Sequence, residues 1–164
     1  LYFEAELILQ LLNSKCLPPE QIKRLPNNYL ETQQAKIFWL ALGVKSIEQS
    51  NISKFIQDEI CTNVDDINTH WDTLNEADSD EYISASKMLL KFLVKYQKLL
   101  TADDYVLLKD LEFFKNFDNV ESCLSNCTFY FEEASILKLL ENKCFPQGHL
   151  SIIPQEYLEE ENSS

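Results

Sequence analysis

The sequence predicts an all-α fold, a multi-helix bundle or a short α-solenoid built of helical hairpins, with no β-sheet. Three observations predict it. Glycine occurs only twice in 164 residues, although hairpin turns, phosphate-cradling loops and dinucleotide fingerprints all consume glycine, because each needs a positive φ or a close backbone approach. Apolar residues recur at helical spacing along most of the chain, and no segment alternates apolar and polar residues with strand-like β-branched content. The apolar share of 45% supports a real core and excludes wholesale disorder. The length suits one helical domain over residues 1–164, and the lack of an initiator methionine leads us to expect an excerpt of a longer protein.

The first helix is expected over 3–15, with Ile8, Leu9, Leu11 and Leu12 on one stripe. Pro18-Pro19 closes it, and Pro19 suits the first turn of a short helix through Leu25. Pro26-Asn27-Asn28 reads as a turn, followed by a helix over 29–42. Its run Ile37-Phe38-Trp39-Leu40-Ala41-Leu42 is apolar on all sides, the pattern of a helix in the middle of a core. Gly43 ends it as a left-handed C-terminal cap. Ser46-Ile47-Glu48-Gln49 has capping-box spacing and opens a helix toward Cys61, with Ile52, Phe55, Ile56 and Ile60 inward.

Asp65-Asp66 caps a short helix through Leu74, and residues 75–79 form a polar break. The longest helix is expected over 80–100, with an apolar arc from Ile83 to Leu100 wide enough for two neighbours. Thr101-Ala102-Asp103-Asp104 caps a further helix in which Val106, Leu107, Leu111 and Phe114 recur at helical spacing. Residues 116–119 read as a loop, 120–126 as a helical turn, and 130–143 as the last long helix before Cys144-Phe145-Pro146.

One regularity joins the two ends. Shifted by 128 positions, residues 1–32 lie over 129–160 without a gap and share 14 identities in 32 pairs. Tyr2-Phe3-Glu4 meets Tyr130-Phe131-Glu132, Lys15-Cys16 meets Lys143-Cys144, and Pro18 and Pro26 meet Pro146 and Pro154. Tyr29-Leu30-Glu31 meets Tyr157-Leu158-Glu159. Matched prolines at a fixed offset argue for an internal repeat, as a tandem array or as quasi-symmetry within one domain.

Charge narrows the partners. Fourteen Lys and Arg face 27 Asp and Glu, a formal net charge of −13. Such a surface repels phosphates, so neither direct nucleic-acid binding nor an anionic membrane is expected. The expected partner is a protein, with a basic patch as the complementary surface. From Phe55 to Ser86 the chain carries nine acids and no Lys or Arg. Asp65, Asp72, Glu76, Asp78 and Glu81 are the candidate protein-binding residues of that stretch.

Five cysteines form an odd set without a disulfide rhythm, and Cys16, Cys61 and Cys144 sit in apolar runs as buried free thiols. No apolar run reaches membrane-spanning length, and the basic region of a signal peptide is missing. A reducing compartment, cytoplasm or nucleus, is the expected address.

Residues for chemistry are few. The pair Cys123 and Cys127 has only His149 nearby, short of the four ligands of a structural zinc site. Glu76, Asp78 and Asp80 match the first, third and fifth positions of a calcium loop, but Glu81 and Lys87 replace its glycine and its bidentate glutamate. No cofactor, metal or small-molecule ligand is therefore expected. Cys144 with His149 is the one local nucleophile–base pair, and it defines the alternative reading as a cysteine-dependent enzyme.

The stretch 8–60 is similar to a caspase-recruitment domain in Ile8-Leu9-Gln10-Leu11-Leu12, in Leu17-Pro18-Pro19-Glu20-Gln21-Ile22-Lys23-Arg24-Leu25, in Ala35-Lys36 before an apolar helix, and in Phe55-Ile56. This resemblance spans about a third of the chain, leaves the helix opening at Asp80 unaccounted for, and implies a death-fold-like assembly domain for signalling. The composition and patterning favour a non-catalytic protein–protein interaction scaffold or adaptor within a larger intracellular complex, with an acidic face for a basic partner.

Overall fold

The computed structural model describes residues 1–3, 5–47, 51–115, 123–124, 129–130, 138, 141, 151–153 and 157. The chain is mostly helical and divides into two compact units, Leu1–Leu108 and Lys109–Ser164.

In the first unit, strand β1 (Tyr2–Phe3) precedes helix α1 (Glu6–Asn13), and strand β2 (Arg24–Leu25) returns parallel to β1. Tyr2 N–H donates to Lys23 O at 2.8 Å, and the far edge of β1 is closed by Phe3 N–H to Lys45 O at 2.9 Å. The expectation of no β-sheet is corrected here. Two-residue strands are too short to carry an alternating pattern, so their pairing is decided by where α1 and the following turn return the chain. The helix expected from Pro19 to Leu25 is also absent: a turn with Gln21 N–H on Pro18 O at 3.1 Å leads straight into β2.

Helix α2 (Gln33–Ala41) starts later than position 29, because Thr32 caps it by accepting from Ala35 N–H at 3.0 Å. Gly43 stops it at φ +102°, as expected of a left-handed cap. Helix α3 (Ile52–Phe55) runs into a π-helical turn (Ile56–Ile60) and a 3₁₀ turn (Cys61–Asn63), and Ile52, Phe55, Ile56 and Ile60 are buried as the spacing predicts.

Helices α4 (Val64–Ala77) and α5 (Ser79–Lys95) form the central hairpin. The polar break expected over 75–79 shrinks to Asp78, whose extended backbone turns the chain while its side chain accepts from Asp80 N–H at 3.0 Å. Ile67, Trp71 and Leu74 on α4 meet a face of α5 that includes Tyr82, Ala85 and Leu89. Rings carry the core outward: Tyr2 stands edge-on to Phe55 at 5.6 Å, Phe55 to Phe92 at 6.3 Å, and Phe92 to Tyr96 at 5.2 Å.

Helix α6 (Ala102–Leu108) opens on the expected box, with Thr101 N–H on Asp104 Oδ2 at 2.9 Å and Asp104 N–H on Thr101 Oγ1 at 3.2 Å. That box sets the helix phase so that Asp104 and Leu108 turn inward while Val106 and Leu107 are exposed. Leu111 and Phe114, expected on the same helix, lie beyond its end at Leu108 and are buried there.

In the second unit, strand β3 (Phe129–Tyr130) pairs in parallel with strand β4 (Ser151–Ile152). Tyr130 is therefore extended rather than the first residue of a helix; Lys138 and Glu141, within the expected helix, are helical. The register of the two strand pairs is the same: Tyr2 faces Arg24, and Tyr130 faces Ile152, both partners 128 positions further on. Tyr157 is buried, and its hydroxyl donates to Phe113 O at 2.5 Å.

Candidate protein-interaction surface

The 37–42 run does not lie in the core. No residue of α2 is buried, and Ile37, Phe38, Leu40 and Leu42 are 59%, 57%, 44% and 61% exposed. This corrects the expectation that Phe38, Trp39 and Leu40 are core residues. The helix is anchored along one edge. Trp39 and Leu30 pack on the buried cluster of Phe3, Leu25 and Val44, and Trp39 Nε1–H donates to Tyr29 O at 3.0 Å. Lys36 lies 5.7 Å from the centroid of the Phe3 ring. Tyr29 and Phe38 stand edge-on to Trp39 at 6.3 Å and 5.5 Å. One indole thus fixes a short capped helix whose remaining apolar side chains meet water. Contiguous apolar exposure of this kind costs solubility, which makes this face of α2 the candidate interaction surface.

The acidic stretch has a different character. Asp58 meets Lys45 at 3.6 Å and Lys54 at 3.5 Å, Glu59 accepts from Tyr2 Oη at 2.7 Å, and Glu81 pairs with Lys15. Asp65 and Asp66 lie in the first turn of α4, and Asp80 and Glu81 in that of α5, where they complement the helix dipole. Folding therefore accounts for more of this charge than the composition implied. Among the five candidate binding residues, Asp65, Asp72 and Glu76 share one exposed stripe of α4, at spacings of seven and four. Asp78 is the cap of α5, and Glu81 is tied to α1's end through Lys15.

Cys16, Cys61 and Cys123 are buried free thiols. Burial pushes the Cys16 thiol up to about 11, against the lowering effect of its Ser14 contact at 2.9 Å. Burial, helped by the Asp104 carboxylate, pushes Cys61 up to about 11 as well. Both are poor nucleophiles at neutral pH, since the thiolate is the reactive form. Cys144, His149 and Cys127 lie outside the described residues. His70 is occupied, with Nε2 at 3.0 Å from Lys15 O. Among the described residues no group of three or more His, Cys, Asp or Glu could hold a metal, and no helix is long and apolar enough to cross a membrane.

Comparison with family models, with curated proteins and with solved structures finds no match. The site rests on geometry alone.

The surface that sequence reasoning missed is the free side of α2. Its signal was present, because a run apolar on every side suits a helix covered on every side, and the cover can come from another chain as well as from this one.

Proposed function

We propose that this chain is a non-catalytic protein–protein interaction scaffold that seats a protein partner against α2 within a larger complex. The exposure of Ile37, Phe38, Leu40 and Leu42 on a helix pinned by Trp39 carries this reading. A rigid element presenting aromatic and aliphatic side chains loses little conformational entropy on docking, and burying such anchors is what gives interfaces their affinity. The exposed stripe of Asp65, Asp72 and Glu76 on α4 adds a steering field for a basic partner. The matched ends at 1–32 and 129–160 support a helical scaffold assembled from a recurring unit.

The test replaces Phe38 with a photo-crosslinking residue and compares the captured proteins with those held by a Phe38→Ser, Leu40→Ser double variant. A partner crosslinked from α2 and released by the double variant, with the helical circular dichroism of the chain intact, is the expected result. Partners held equally well by the double variant would place docking elsewhere.

A further inference from the structure

Tyr29 and Tyr157 occupy matched positions 128 residues apart, yet their surroundings differ. Each is in 3₁₀ conformation, and each follows a parallel strand pair of the same register. Tyr157 is 8% exposed. Its hydroxyl donates to Phe113 O, 44 residues earlier, and its ring stands edge-on to Phe113 at 6.3 Å and to Phe114 at 5.2 Å. Tyr29 is 56% exposed, and Trp39 is the ring on its edge. Its hydroxyl makes no hydrogen bond among the described residues. Among the described residues of the first unit, no phenylalanine pair stands against Tyr29 as Phe113 and Phe114 stand against Tyr157.

We propose that the exposed face of Tyr29 is a docking site for a Leu-x-Phe-Phe segment delivered in tandem from the N-terminal side, as Leu111-Glu112-Phe113-Phe114 precedes Tyr157. The proposal rests on the scaffold reading with a recurring unit, and it names the contact that joins one unit to the next. The chemistry is specific. A phenol needs a carbonyl acceptor when buried, and two adjacent phenylalanines present both a backbone carbonyl and ring edges to it. Trp39 already stands edge-on to Tyr29 at 6.3 Å, so a docked pair extends an aromatic cluster beside α2.

The full chain is extended by a second copy of residues 109–128 joined directly before Leu1, which sets the grafted phenylalanine pair 44 residues ahead of Tyr29, the separation seen for Phe113 and Tyr157. Trp71 is fully buried and Trp39 half-buried, so a change in tryptophan emission reports Trp39. The expected result is a blue shift with a Tm raised by about 2–4 °C. Both are lost when the graft carries Phe113→Ala and Phe114→Ala, or when the chain carries Tyr29→Ala. An extended chain with unchanged emission and Tm, or gains that survive the two alanines, overturns the proposal. Should the extended chain fold poorly, a synthetic peptide of residues 109–128 is titrated into the unextended chain instead. Saturable blue-shifting of its emission, abolished by Tyr29→Ala, supports the proposal, and no shift overturns it. The crosslinking from α2 uses the unextended chain, so a failed graft with partners still released by Phe38→Ser, Leu40→Ser rejects tandem docking alone.

Discussion

The indole Nε1–H of Trp71 donates to the carbonyl oxygen of Cys16 at 2.9 Å, with both residues fully buried. His70, next on α4, holds the neighbouring Lys15 carbonyl through Nε2 at 3.0 Å. Two consecutive carbonyls just past the end of α1, where Lys15 takes φ +63°, are thereby satisfied from a helix about 55 residues away. Trp71 is thus both the largest fully buried side chain and the tie between the hairpin and the cysteine–proline turn.

Trp71→Phe should cost about 1–3 kcal/mol, because it strands a buried carbonyl while keeping most of the apolar volume. Trp71→Ala should cost about 3–5 kcal/mol as a large-to-small core change. Trp39→Ala should cost about 1–2 kcal/mol, in line with its half-burial. Urea unfolding of the three variants ranks them, and a Trp39→Ala loss equal to that of Trp71→Ala would move α2 into the core.

Alkaline pH should weaken the fold through its thiols. In the unfolded chain a thiol loses its proton near its ordinary value of 9, whereas Cys16 and Cys61 hold theirs in the fold to about 11. Above pH 9 the unfolded state therefore binds fewer protons, and stability falls as pH rises toward 11. Tyr2, whose phenol is also raised by burial and by its bond to Glu59, adds to the fall at the upper end. Thermal melts across this window should show it, and Cys16→Ala with Cys61→Ala should flatten its lower part relative to pH 8. Rapid labelling of either thiol by a disulfide reagent at pH 7 in the folded protein would contradict the burial.

Gly43→Ala isolates a backbone effect. Space is open around the position, with nothing within 4 Å of an added Cβ, so the cost comes from φ +102° alone. About 1–2 kcal/mol is expected, with Gly43→Asn milder because asparagine tolerates the left-handed region better. Equal stability of all three chains would show that the α2 cap relaxes.

The acids of α4 give a kinetic prediction. Asp65→Lys, Asp72→Lys and Glu76→Lys together should slow association with a basic partner at low salt, with the difference shrinking as ionic strength rises. Dissociation rates should change less, because the stripe is separate from the apolar anchors of α2. Association rates in stopped flow, unchanged at low salt, would remove the stripe from the encounter.

Helical class, the Gly43 cap, the Thr101–Asp104 box and the inward set Ile52, Phe55, Ile56 and Ile60 were all readable from the sequence. Each is set within a few residues, by backbone sterics, a cap or one turn of periodicity. The strand pairs at 2–3 with 24–25 and 129–130 with 151–152 were not, because two residues carry no period and parallel pairing depends on where distant segments return. The ion pair of Lys15 with Glu81 and the bonds of Glu59 and Asp58 joined residues far apart, and so turned acids that read as a docking face into parts of the fold. The exposure of the 37–42 run has the same origin. Periodicity reports which faces of a helix are apolar, and only the packing of the whole chain decides that Trp71 is covered while Ile37, Phe38, Leu40 and Leu42 are left in water.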